Sequence, residues 1–289
     1  MTRPIIKLHN IAQWLEQPQQ LRSLILQNIK LKDRLYRFLQ EQSKRDNAFT
    51  EAAWAKCKRC SDSPYPGYVL MEPRYDGIHP SQIGHPCFLK VYNDMVGAVG
   101  EERIEPRLRL IFDIGHAVHH MFQSYGEAGA WGPLYKKEVE VSGQFQPLAA
   151  ELMLEGHADA DNILTVDVGD QYPLFEVGIV HEYKTANDNN FSKLKRPKPE
   201  HKQQAMIYGA ALDRPVIVYL YLNKNDSNLT DFPVEFEPAL WEPLRNKIAT
   251  LKSFYDKSTP PPGETGFHCK ECPYIFGCAY AKAAHAARR

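Results

Sequence analysis

Between residues 9 and 47 the apolar positions Leu15, Leu21, Leu24, Ile25, Ile29, Leu31, Leu35 and Phe38 recur among polar residues, with no glycine inside the run. That pattern predicts helix. Pro18 starts or breaks a helix there, because proline supplies no backbone N–H and fixes φ. Residues 57–86 lose the period and are rich in Cys, Pro, Gly, Ser and Asp, which predicts an irregular connection, metal-tied if its thiols take a cation. After Pro86 the positions Leu89, Val91, Tyr92 and Met95 predict another helix. A clearer one follows, since Leu108, Phe112, Gly115, His119 and Phe122 lie four, three, four and three apart and share one face. On that face Gly115 is expected to let the helix approach its neighbour closely.

The period then changes from helical to alternating. Leu134 to Val141, Leu152 to Leu164 and Leu174 to Tyr183 read as three strands separated by the turn-rich stretches Ser142-Gly143 and Asp167 to Gln171. A basic, proline-containing loop from Asn187 to Pro199 leads into a helix over Glu200 to Leu212. Val216 to Leu222 is a continuous apolar run, suited to a strand in the middle of a sheet. A further strand near Val234 and a helix from Leu240 to Tyr255 precede the break at Pro260-Pro261-Pro262-Gly263. There is no internal repeat. The order predicts an α/β protein with a central mixed β-sheet flanked by helices. Residues 1–80 read as an N-terminal helical region with a cysteine-containing connection, and residues 81–289 as the main domain.

Composition narrows the function less than the pattern does. The chain has 289 residues, 43% hydrophobic and 24% charged, with mean hydropathy −0.47. No apolar run reaches membrane-span length and the first residues lack a signal-peptide pattern, so a cytoplasmic location without membrane contact is expected. Thirty-five basic residues balance 35 acidic ones. Overall charge therefore gives no argument for a polyanionic partner, although such a protein can concentrate its cations in one groove. Lys56/Lys58/Arg59 and Lys136/Lys137 read as solvated faces. The denser run is Lys193, Lys195, Arg196, Lys198 and Lys202.

The middle strands carry Gly156-His157-Ala158-Asp159 and, 23 residues after that aspartate, Glu182-Tyr183-Lys184. Residues two apart on a strand share a face, so Glu182 and Lys184 project together. If the Asp159 strand pairs alongside, two carboxylates and an ammonium converge. Such a set suits phosphodiester hydrolysis: carboxylate oxygens hold Mg²⁺ or Mn²⁺, the cation activates water, and the lysine orients that water or offsets developing charge. An isolated E-x-K triplet is weak, because exposed strands often alternate Glu and Lys. Here it ends an apolar run, Leu174 to Val180. Asp161 lies on the same strand face as Asp159 and competes with it as the ligand. His119 is a further candidate; His116 and His120, spaced i and i+4, form another pair without a nearby acid. Gln204 and Tyr208 share a helical face directly after the basic loop, where an amide and a phenol suit phosphate or base contacts.

G-x-x-x-H (Gly115 to His119), G-H-x-D (Gly156 to Asp159), E-x-K (Glu182 to Lys184) and Q-x-x-x-Y (Gln204 to Tyr208) resemble, in order and spacing, the RecB-like branch of the PD-(D/E)XK nucleases over residues 81–289. The resemblance implies a restriction-endonuclease-like core. It also implies that His119, Asp159, Glu182 and the Tyr183 carbonyl hold the metal, that Lys184 is catalytic, and that Gln204 and Tyr208 lie near DNA. Lys193, Lys195 and Arg196 would grip the strand beside it.

Six cysteines without an export signal argue for metal binding or reactive thiols over disulfides. Cys269-x2-Cys272-x5-Cys278 occupies a segment too short for its own core, and a closed site needs a fourth sulfur. Cys87 is the natural donor. One cysteine before the core and three after it is similar to the iron–sulfur nucleases of the same branch, including CRISPR-associated four-cysteine nucleases and phage RecB-like exonucleases. This implies a [4Fe–4S] cluster, with Zn²⁺ as the alternative. The leading segment Pro80 to Cys87 echoes that family, whereas Lys90 stands where an arginine is often seen. Cys57 and Cys60 depart from the pattern; with His79 and His85 they would make a Cys2His2 zinc site, or they remain free thiols, or they replace Cys87 on the cluster. The expectation is a DNA exonuclease acting on ends or single strands in recombination, repair or phage DNA processing. A structure-selective endonuclease and a non-catalytic DNA-end-binding protein are the alternatives. Related stand-alone exonucleases assemble into rings, so a homo-oligomer or a recombination partner protein is open.

Overall fold

The computed structural model of the chain describes residues 3–43, 77–100 and 106–286. A sheet of six strands runs through it: β1 (Ile5–Leu8), β2 (Lys136–Val141), β3 (Gly156–Val166), β4 (Leu174–Ala186), β5 (Val216–Asn223) and β6 (Leu229–Glu235). The order is β2-β3-β4-β5-β6, with β1 also paired to β4. β4 pairs in parallel with β1 and β5, and the remaining pairs are antiparallel. This is the mixed sheet the pattern predicts.

The apolar run of β5 explains its central place. All eight of its residues are buried, and alternation sends them to two cores. Ile217, Tyr219 and Tyr221 pack on one side with α4 (Phe88–Met95), α6 (Pro147–Leu152), α8 (Pro199–Ala211) and α9 (Pro238–Asp256). Val216, Val218, Leu220 and Leu222 pack on the other, with α1 (Ile11–Leu15), α2 (Gln19–Asn28), α3 (Leu31–Ser43) and Phe122 of α5 (Pro106–Glu127). A helix on each face removes both from water. β6 lies at the edge, where Pro233 withholds a donor at little cost. Two short elements complete the set, α7 (Asp188–Phe191) and α10 (Ala279–Ala286).

Three expectations are corrected. The N-terminal region is not purely helical, because Ile5 to Leu8 join the sheet beside Leu174 to Val177. β1 and β5 follow one another along the same edge of β4, and Gly178 lies at their junction. A Cβ there would stand 2.4 Å from the His9 carbonyl oxygen, so the crossing requires glycine. The strand expected from Leu152 begins at Gly156, because Pro147 to Leu152 form α6, ended by Met153 in the left-handed region (φ 55°). Finally, Gly115 makes no close approach to the described residues: none of them lies within 4 Å of where its Cβ would be. The close contact on α5 comes at Gly126, against the Tyr135 ring.

Candidate metal centre

Ladder pairing between β3 and β4 runs from Val166 opposite Phe175 to Ala160 opposite His181, and stops. Beyond that point the Asp159 carboxylate takes over: its Oδ2 accepts the Tyr183 backbone N–H at 2.6 Å. On its other side, β2 pairs Lys137 with Ala160 and Val139 with Ala158, leaving out Glu138 opposite Asp159. Glu138 has φ 46°, a left-handed conformation that a non-glycine residue adopts at some cost. Gln123 of α5, buried at 2% exposure, bridges the gap. Its amide donates to the Glu138 carboxylate and, at 3.4 Å, to the Asp159 carbonyl. Asp159 thus sits where the ladder opens on both sides.

His119, one turn before Gln123, places Nδ1 3.1 Å from Asp159 Oδ1. Burial opposes the imidazolium most strongly, but the Asp159 charge and hydrogen bond, with the Glu182 charge, together outweigh it and raise the His119 pKa. Burial likewise opposes the Asp159 anion, yet His119, Lys184 and the Tyr183 N–H hold it below the ordinary carboxylate range. Glu182 and Lys184 project together from β4 and form an ion pair. Glu182 is 1% exposed, and among the described residues neither of its carboxylate oxygens has a partner with hydrogen-bond geometry. Burial pushes its pKa up to about 7, although Lys184 pulls against this. The lysine stays charged, because Glu182 and Asp159 outweigh the burial that would discharge it.

A buried carboxylate without hydrogen bonds costs several kcal/mol of desolvation, roughly, unless a cation lies against it. Lys184 offsets part of that cost through its ion pair, and a hard divalent ion would fit the remainder, with Asp159 one strand away and the Tyr183 carbonyl between Glu182 and Lys184 in the chain. Among the described residues no three His, Cys, Asp or Glu side chains are already gathered as a metal set. The side chains that meet are the pairs His119–Asp159 and Glu182–Lys184. Asp161, the competing acid, is held by Arg214 through two contacts of 2.5 and 2.8 Å.

The opposite face of β4 is aromatic. Tyr183 hydroxyl meets Tyr135 hydroxyl at 3.0 Å and His181 Nδ1 at 3.3 Å, and the Tyr183 ring stacks on Trp131. Burial drives the His181 pKa down to about 3, so this histidine is neutral core. The structure keeps the Tyr183 side chain away from the carboxylates.

Lys193, Lys195 and Arg196 are exposed on the loop between α7 and α8. Lys202 pairs with Glu237 at 2.6 Å. Gln204 is partly buried. Tyr208 is 4% exposed, and its hydroxyl lies 3.0 Å from where a Gly156 Cβ would stand, so its ring packs over the start of β3.

Cys87, 8% exposed, precedes α4. Its sulfur accepts the Glu264 N–H at 3.4 Å, while the Cys269 thiol reaches the Glu264 carbonyl at 3.8 Å. Burial raises the Cys272 pKa, and the nearby Cys87 and Cys269 raise it further. Cys272 thus senses Cys87 and Cys269, and Cys278 ends the same short segment, but among the described residues these sulfurs are not gathered as a metal set. This donor set is chemically suited to iron or zinc. Tyr274 ties the segment to α4 through Asp94 at 2.9 Å, and Asp94 also takes Gln82 at 2.7 Å and Lys90 at 2.5 Å. His85 Nδ1 accepts the Cys87 N–H at 3.1 Å. Cys57 and Cys60 lie outside the described residues.

Sequence reasoning missed Gln123, Glu138, Arg214, His201 and Tyr221. Only Gln123 had a signal, its position four residues after His119.

Comparison with known families finds no match, and none of the curated proteins matches by sequence. Solved structures do. The protein SSO0001 is 14% identical with TM-score 0.39, covering 71% of this chain and 87% of its own. An alkaline exonuclease, LHK-Exo from Laribacter hongkongensis, is 12% identical with TM-score 0.45, covering 64% of this chain and 90% of its own. LHK-Exo in complex with dAMP gives 10% and 0.44 over the same shares, 64% and 90%.

Proposed function

We propose that this chain is a metal-dependent DNA exonuclease that hydrolyses phosphodiester bonds at ends or in single strands. The observation that carries the reading is Glu182: a buried carboxylate without hydrogen bonds, ion-paired with Lys184 and one strand from Asp159. Asp159, Glu182 and the Tyr183 carbonyl would hold Mg²⁺ or Mn²⁺, with His119 as a further ligand or as the group that orients Asp159. When bound, the cation supplies Lewis acidity and lowers the pKa of a water.

The chain's own residues do the rest. Lys184, kept protonated beside two carboxylates, orients the attacking water and offsets charge gathering on the phosphate oxygens. The Tyr183 N–H fixes the Asp159 carboxylate, so little reorganisation is required during the reaction. Lys193, Lys195 and Arg196 grip phosphates next to the cut. Gln204, on α8 directly after that loop, would lie along the strand's path. Cys87, Cys269, Cys272 and Cys278 would hold a [4Fe–4S] cluster, which ties the last helix back to α4.

The test is anaerobic purification with iron and zinc analysis, followed by digestion of end-labelled linear DNA and covalently closed circles. The expected result is a brown protein that degrades linear DNA only when Mg²⁺ or Mn²⁺ is present. Cutting of closed circles would replace the exonuclease reading with an endonuclease. No cutting of any DNA with either metal would overturn the function.

A further inference from the structure

On the β5 side of the centre lies a second polar group that the proposed chemistry does not use. Tyr221 is the direct β5 neighbour of Lys184, and its ring is buried. Its hydroxyl meets two partners from the start of α8: the Lys198 backbone N–H at 3.2 Å and His201 Nδ1 at 2.8 Å. The rings of His201 and Tyr221 lie 5.7 Å apart at 30°. His201 is partly exposed and senses the charges of Lys184 and Lys198.

A backbone N–H can only donate, so the Tyr221 oxygen accepts from Lys198 and its own proton remains available to His201 Nδ1. With Nδ1 as acceptor, a neutral ring carries its proton on Nε2. Burial, with the two lysines, pushes the His201 pKa down to about 3, so the ring stays neutral under physiological conditions. Three neighbouring strands therefore present a row: Asp159 from β3, Glu182 and Lys184 from β4, and Tyr221 with His201 above it from β5 and α8.

We propose that His201, oriented by Tyr221, is an uncharged hydrogen-bond donor to a phosphate oxygen of the bound DNA strand, on the side of Lys184 away from Asp159. This rests on the nuclease reading and adds a DNA contact to it. A charged contact at this place would compete with Lys184 for the same oxygen and repel it. A neutral N–H fixes the phosphate without adding to the lysine field. His201 also shares its helical face with Gln204 and Tyr208, at spacings of three and four.

A neutral donor leaves a signature that a cation does not. Removing a cationic phosphate contact flattens the salt dependence of single-strand binding by about 0.7 in the log–log slope, whereas removing a neutral one leaves the slope unchanged. The experiment measures affinity for a single-stranded oligonucleotide in Ca²⁺ from 50 to 300 mM salt. It uses the intact chain and the variants His201→Leu, His201→Gln, Tyr221→Phe and the double variant His201→Leu/Tyr221→Phe. Expected is about a tenfold loss for His201→Leu at every salt concentration with the wild-type slope. His201→Gln, which keeps an uncharged N–H, recovers most of it. Tyr221→Phe gives a smaller loss, and the double variant loses no more than His201→Leu alone. Independently, ¹⁵N spectra of the wild-type histidines, assigned by the resonance lost in His201→Gln, show the Nε2–H tautomer with no titration between pH 5 and 8. Wild-type affinity in His201→Leu, a slope reduced by about 0.7, or an Nδ1–H tautomer would overturn the proposal. If wild type cuts DNA and any of these is found, only this inference falls. If wild type neither binds nor cuts DNA, the nuclease reading falls and takes it along.

Discussion

The carboxylate centre and the cysteine segment are both assembled from distant parts of the chain, by different means. Asp159, Glu182 and Lys184 stand on neighbouring strands, so backbone register places them, and the gap after Ala160 and His181 frees Asp159 to accept from Tyr183. Cys269, Cys272 and Cys278 lie on a short segment tied back by side-chain and loop contacts: Glu264 between two sulfurs, and Tyr274 on Asp94. Because backbone pairing sets the first arrangement, it is expected to survive loss of any one functional side chain. The second would depend on a metal or cluster if its sulfurs take one. Substitutions in the carboxylate centre should therefore change chemistry, and those in the cysteine segment should change stability.

The largest effect should come from Asp159→Ala, Glu182→Ala or Lys184→Ala. Each is expected to lower nuclease activity by about three orders of magnitude, with circular dichroism and iron content unchanged. Loss of iron in these variants would erase the contrast between the two regions. Next in size, Cys87→Ser should remove the colour and lower the melting temperature by roughly 10 °C, as expected when a few kcal/mol of cluster-linked stability is lost. A melting temperature equal to wild type would show that the sulfurs hold nothing.

A pH measurement sharpens the same comparison. Glu182 has its pKa raised from 4.5 to about 7 by burial, so the folded, metal-free chain binds this proton more tightly than the unfolded one. Its stability contribution is full below pH 4.5 and is lost as pH rises through about 7. Metal-free Glu182→Gln should lack that decline between pH 5 and 7.5, measured by thermal melts. The same decline in the variant would assign it to another group. The smallest effect is electrostatic. Neutralising Lys193, Lys195 and Arg196 together should reduce the salt slope of single-strand binding by about two, at 0.7 per phosphate contact. An unchanged slope would remove the loop from the DNA path.

The features legible in the sequence are those set by local period. Strand geometry over Leu174 to Lys184 foretold that Glu182 and Lys184 share a face, and the apolar run Val216 to Leu222 is the buried strand beside them. β1 was illegible because four residues, Ile5-Ile6-Lys7-Leu8, are too short to show a period, and β4 supplies their pairing. The choice between Asp159 and Asp161 was also beyond reach. What bears on it is Arg214, which the turn before β5 brings from 53 residues away onto Asp161. Gly115 misled for a related reason: a small residue on an apolar face permits close packing without requiring it. Glu138 carries no sign in its sequence of the left-handed turn that opens the ladder beside Asp159.

The central claim is that a buried Glu182 awaits a divalent cation that cuts DNA. Its most direct test is digestion of end-labelled linear DNA by wild type and Glu182→Gln, across a titration of Mg²⁺ and of Mn²⁺ at pH 8. The account predicts cation-dependent degradation by wild type and none above background by Glu182→Gln at any concentration. Degradation that persists in EDTA, or equal activity in the two proteins, would contradict it.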